Sequence, residues 1–158
     1  MKMKKVIAFV FASAVILPAG VLAIMFFDRG TQIKHDQAFV GAASDGDTSQ
    51  MDTLLDHGEN VNASSFDNTS GLWSAAFNRQ LSAVRFLLLH GANTETPSQF
   101  GQTPLEGAVE NLSNDTGTPS ANVDVAIIKL LIGKKANITK IKRSAASVSL
   151  LKSYGVKI

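Results

Sequence analysis

Hydrophobic positions along this chain fall into distinct regimes. Residues 6–27 are apolar and carry no charge. Beyond a polar stretch, short apolar clusters alternate with breaks rich in Gly, Asn, Asp and Ser. Ala38, Phe39, Ala42 and Ala43 predict one helix, and Asp45-Gly46-Asp47 predicts a turn. Met51, Leu54 and Leu55, spaced i, i+3, i+4, predict a second helix. Gly58 should end it by taking a left-handed backbone conformation, and Asn60-Val61-Asn62-Ala63 leads away. The same pattern returns 33 residues later. Ala75-Ala76 and Leu88-Leu89-His90-Gly91 repeat Ala42-Ala43 and Leu55-Asp56-His57-Gly58 in place. A further shift brings Thr103-Pro104-Leu105-Glu106-Gly107-Ala108-Val109 onto Ser70 to Ala76. A fixed period of this length indicates stacked units, none of which can bury its apolar face alone.

The second unit keeps the pattern best: Ala75, Ala76, Leu81, Val84, Leu87 and Leu88 fall on expected core positions. The third is interrupted. Residues 112–122 intervene after Val109, about eleven more than the period allows, before Val125 to Ile132 resumes the second helix. Lys135 stands where the stop glycine is expected. Ser144 to Ile158 forms a shortened last unit, with Ala145, Ala146, Val148, Leu150 and Leu151 predicted to pack and Lys142, Arg143, Lys152 and Lys157 facing water.

Three features together identify a resemblance. They are the 33-residue period, the alanine pairs with the Thr103-Pro104-Leu105-Glu106 start, and the exits Gly58-Glu59-Asn60-Val61-Asn62-Ala63 and Gly91-Ala92-Asn93. Residues from about Gln37 to Ile158 are similar to an ankyrin-repeat domain. The resemblance implies an all-α solenoid of about three repeats plus a shortened C-terminal cap, preceded here by an N-terminal apolar helix. Trp73 stands where the family usually has His, and Arg79 where it usually has the turn Gly. The family binds partners at finger tips between repeats and on the concave helix surface. Carried over by position, the tips are Phe66, Asp67 and Thr69, then Gln99, Phe100 and Gln102. The concave positions are Ser44 and Asp45, Phe77 and Asn78, and Glu110 and Asn111, with Trp73 near them. Phe66, Phe77 and Phe100 are either aromatic anchors of an interface or stacking residues that stabilise the array.

Charge adds two points. Lys2, Lys4 and Lys5 precede the apolar run, so residues 1–27 read as a signal-anchor helix or a signal peptide. An intact helix over 6–27 would reach roughly 33 Å, enough to cross a bilayer core. The lysines would then stay inside and the domain outside. The short basic start resembles bacterial leaders. It predicts either a single-pass inner-membrane protein with its C-terminal domain in the periplasm, or a soluble periplasmic domain after cleavage following Val21-Leu22-Ala23. Residues 28–35 form a linker and 36–158 the repeat domain. Secondly, residues 36–67 hold seven acids and no Lys or Arg, while residues 127–158 hold eight Lys or Arg and no acid. The net charge of +2 conceals this polarity.

The chemistry-bearing residues change little. The absence of cysteine excludes a disulfide framework, a thiolate metal site and a cysteine nucleophile. His57 and His90 sit at equivalent helix ends, where the backbone dipole accounts for them without a metal. Asp45 and Asp47 flank a turn glycine and read as solvated. No phosphate loop, nucleophile elbow or metalloprotease motif is present. The expectation is a non-enzymatic binding module with no cofactor or metal. Its partner would be another protein, not nucleic acid, with a membrane link through 6–27 if that segment is retained. By analogy with exported ankyrin proteins, the partner could be a periplasmic toxin or enzyme that this chain neutralises as an immunity protein. A structural or stress-protective envelope scaffold is the rival, and an enzyme the last alternative.

Overall fold

A helix that ends on a left-handed residue leaves a signature in its hydrogen bonds: the next N–H reaches back to a carbonyl five residues earlier. The computed structural model describes residues 34–158 and shows this ending six times. The left-handed residues are Gly46, Gly58, Arg79, Gly91, Lys135 and Gly155. The bonds that follow them, Asp47 N–H to Ala42 through Val156 N–H to Leu151, measure 2.8–3.1 Å.

The described residues form eight helices. They are α1 (34–45), α2 (Thr48–Asp56), α3 (Gly71–Phe77), α4 (Leu81–Leu89), α5 (Pro104–Asn114), α6 (Pro119–Gly133), α7 (Thr139–Arg143) and α8 (Ala145–Ser153). The six stops follow α1, α2, α3, α4, α6 and α8. Residues 34 and 35, which the sequence assigned to a linker, are helical. The starts are equally explicit. Asp47 accepts the Gln50 N–H at 2.9 Å, and Ser70 accepts that of Trp73 at 3.2 Å. Thr103 and Glu106 cap α5 reciprocally, with Pro104 at its first position.

The helices stack in two rows. Gly71 of α3 lies against Phe39 and Ala43 of α1, α3 packs on α5, and α5 on α8. In the other row α2 packs on α4, and α4 on α6. Ala42, Ala43, Ala75, Ala76 and Ala108 are all buried, and their small side chains let backbones approach. Met51, Leu87, Leu105, Ile127, Ile128 and Leu131 are fully buried between the rows. Each contributes about 1.5–3 kcal/mol by leaving water. No strand is present among the described residues; a single antiparallel bridge joins Ser64 and Ser70. The all-helical, repeat-stacked class is therefore as expected for the described residues. The apolar segment 6–27, with the expected anchor or cleavage site, and most of the linker lie outside them.

The third repeat and the cap depart from the regular units. The extra residues of the third repeat do not form a long loop. α5 has 11 residues where α3 has 7, and α6 has 15 where α4 has 9. The insertion is absorbed almost entirely into longer helices, with only 115–118 left between them. In the cap, Ala145 and Ala146 are exposed instead of packed. Ile141, Leu151 and Val156 supply its buried side chains.

Candidate protein-binding surface

The finger tips are two copies of one turn. Ser65 N–H donates to Thr69 O at 3.0 Å, and Ser98 N–H donates to Gln102 O at 2.8 Å. Asn68 (φ 63°) and Gly101 (φ 74°) supply the left-handed residue at the same place in each. Phe66 and Phe100 occupy neighbouring middle positions of these turns and are 80% and 75% exposed. Gln99 beside Phe100 is also exposed.

Other tip residues build the turns. Thr69 is buried, contrary to its expected exposure, because its hydroxyl faces the next finger and accepts the Gln99 N–H at 3.4 Å. Asp67 is half-buried and accepts from the Ser65 hydroxyl and from the Thr69 N–H at 3.2 Å. These hydrogen bonds, that of Ser65 foremost, hold its carboxyl below the ordinary carboxylate range. Gln102 is half-buried and donates to Glu110 at 2.7 Å.

The first-helix row carries a second group. Trp73 and Phe77 of α3 stack with ring centres 4.6 Å apart and planes within 11°. A Cβ at Gly107 of α5 would come 3.2 Å from the indole nitrogen, so glycine there makes room for Trp73. The indole N–H is buried and has no acceptor among the described residues. Phe77 is 38% exposed, so the pair is partly structural and partly surface. Asn78 donates to Ser44 at 3.0 Å and to Ser74 O at 2.9 Å, linking α3 to α1. One repeat on, Asn111 donates to Phe77 O at 2.7 Å. Asn111 is thereby buried, contrary to its expected exposure, whereas Asp45, Asn78 and Glu110 are exposed and Ser44 is half-buried.

The surface so built offers aromatic and amide groups on rigid supports, a composition suited to another protein's surface. His57 and His90 are exposed helix C-caps, and His90 stacks on Phe86 at 4.2 Å. Among the described residues no group of three or more His, Asp or Glu is placed to hold a metal. None of the described helices is long and apolar enough to cross a membrane.

Two features escaped the sequence reading. One is an ion cluster under the α3–α4 turn: Arg79 donates to Asp124 at 3.0 Å and also pairs with Asp115. Asp124 is completely buried, and burial pushes its carboxyl above the usual range, with Arg79 opposing. Asp124 in turn holds the guanidinium more firmly charged. An arginine at a glycine position and a lone acid within Val123 to Leu131 were the available signals. The other feature is an apolar groove on the second-helix row, signalled by one leucine too many in Leu87-Leu88-Leu89.

With this architecture in place, similarity to known proteins agrees with it. Residues 39–142 match the family model described as ankyrin repeats in three copies, and the chain belongs to the ankyrin-repeat family. It is also similar to human (Homo sapiens) BCL-6 corepressor-like protein 1, at 37% identity over 75 residues. That match covers 48% of this chain and 4% of the human protein, so the shared part is a small fraction of that relative.

Proposed function

We propose that this chain binds another protein through the finger tips bearing Phe66 and Phe100, with Phe77 and Asn78 on the flanking first-helix row. The observation that carries this reading is the exposure of two phenylalanines on consecutive copies of a rigid turn. Keeping large apolar side chains in water costs solvation free energy, and a partner surface would recover it. The turns are fixed by their own hydrogen bonds, so binding need not order a loop.

Within this reading, the finer proposal is a domain on the periplasmic side of a bacterial membrane that occludes a secreted antibacterial toxin. The basic start and apolar residues 6–27 support export, and family analogy supports occlusion. Nothing in the stack requires catalysis for this task.

The test is an affinity capture with the domain as bait, followed by mass spectrometry. Phe66→Ala with Phe100→Ala should release the specific partner while circular dichroism stays unchanged. Retention of every partner by the folded double variant rejects the tip surface. For the finer proposal, deletion of the gene should sensitise cells to toxin-delivering siblings; indifference rejects immunity.

A further inference from the structure

A second surface lies on the other row of helices, away from the tips. Between α4 and α6 runs a groove of about 360 Å³. Its walls are Leu88, Leu89 and Leu130, and Gly133 leaves one end open, with nothing within 4 Å of the position a Cβ would take. Leu88 is buried in the core, whereas Leu89 is 79% exposed and forms the free lip. An apolar cavity of about 150 Å³ admits a benzene ring. The groove therefore has room for two apolar side chains.

Its rim is uniformly cationic. Arg85 lies one helical turn before Leu89 on α4. Lys129 and Lys134 border the opposite side. All three are exposed, and none forms an ion pair among the described residues. No carboxylate lines the groove. The Lys and Arg ion pairs among the described residues lie elsewhere: Arg79 with Asp115 and Asp124, and Lys140 with Glu106. With no carboxylate of the lining beside them, the three rim charges are open to one from a partner.

We infer that the groove between α4 and α6 docks an acidic protein segment, with one or two apolar side chains seated between Leu89 and Leu130 and carboxylates meeting Arg85, Lys129 and Lys134. A segment of this kind satisfies both halves of the site at once. A membrane surface does not enter a concave slot, and a nucleic acid finds no aromatic platform on its walls. The charges would raise the association rate and fix orientation, while the leucines hold the segment in place.

Fluorescence polarisation of the domain with a labelled acidic peptide, two leucines one helical turn apart among glutamates, tests this. A counterpart with lysines in place of the glutamates serves as control, and phosphatidylserine vesicles are assayed in parallel. The acidic peptide should bind and weaken as salt rises. Leu89→Asp and Lys129→Glu should each weaken it at least about tenfold. Both side chains are exposed, so circular dichroism should be unchanged. Phe66→Ala with Phe100→Ala should leave peptide binding intact, which separates this face from the tip surface. The inference is overturned if the acidic peptide fails to bind at low salt, if the lysine peptide binds equally, or if Leu89→Asp has no effect. It is also overturned if vesicles bind in place of the peptide. Self-association abolished by Leu89→Asp, with no peptide binding, assigns the groove to a second copy and overturns it too.

Discussion

At the residue scale, the most consequential side chain is Arg79. It occupies a left-handed backbone position, φ 60°, where glycine would be free of strain. What holds it there is Asp124, a carboxylate with no exposure to water and no ion-pair partner but Arg79 among the described residues. Arg79→Ala leaves that carboxylate buried and unpaired. The expected loss is about 3 kcal/mol, at the low end for a broken buried pair because Arg79 is partly exposed. Urea denaturation measures it, and Arg79→Lys should fall between the two, since lysine lacks the planar fork that reaches both carboxylates. A carboxyl raised above its ordinary 3.8 favours folding when protonated, so the deficit of Arg79→Ala should narrow as pH falls towards 4. Glu59 carries a similar sign in the first repeat. Burial first, then the adjacent Asp36, raise its carboxyl above 4.5, against the Asn60 N–H and His35, which stands 3.9 Å away. Its contribution to stability is complete below pH 4.5 and is lost as pH rises through its folded value. Glu59→Gln should therefore gain on the native chain between pH 4.5 and neutrality, read as a diverging pair of urea midpoints.

At the scale of elements, helix endings set the repeat length. Four of the six left-handed stops are glycine, and the other two, Arg79 and Lys135, depart from that rule differently. Arg79 has partners that compensate. Lys135 is exposed, and its side chain has no hydrogen bond or ion pair among the described residues. Lys135→Gly should stabilise the domain by about 1 kcal/mol, the steric cost of a left-handed non-glycine residue. Thermal melting checks this, and an unchanged or lower midpoint contradicts it. The same reasoning explains the insertion in the third repeat. Residues 112–122 are mostly Ser, Asn, Asp, Thr and Gly, yet most of them are helical. Pro119 starts α6 at its first turn, where a missing N–H costs nothing. Asp115 is the C-cap of α5 and Asp124 lies within α6, and both turn to Arg79. The Gly117 N–H donates to the Tyr154 hydroxyl at 2.9 Å, tying the turn to the cap. Tertiary partners thus extend two helices through a segment with modest local propensity.

At the scale of the whole repeat unit, stability is shared between neighbours and recognition is shared between faces. Asn62 accepts the Asn93 N–H at 2.7 Å, and Glu95 accepts the Asn137 N–H at 2.8 Å, so exits of successive repeats are joined. The two proposed surfaces use different rows: Phe66 and Phe100 project from the tips, while Leu89 lies on the second helices. The expected independence of their variants follows from this separation. The period, the alanine pairs, the leucine core and the glycine stops were legible in the sequence, because each follows from local periodicity and backbone conformation. The tips were legible by position, and Phe66 and Phe100 stand exposed there. Thr69 and Asn111 were misjudged, because a side chain that reaches the adjacent repeat is buried by a neighbour some 30 residues distant in sequence. Arg79 with Asp124, the helical insertion and the cationic groove have the same origin. By itself the sequence determined the repeat and its register, since period and stop residues act within one unit. Only the tertiary structure decided which polar residues were spent between units and which remained for a partner, since that depends on what the adjacent repeat brings within hydrogen-bonding distance.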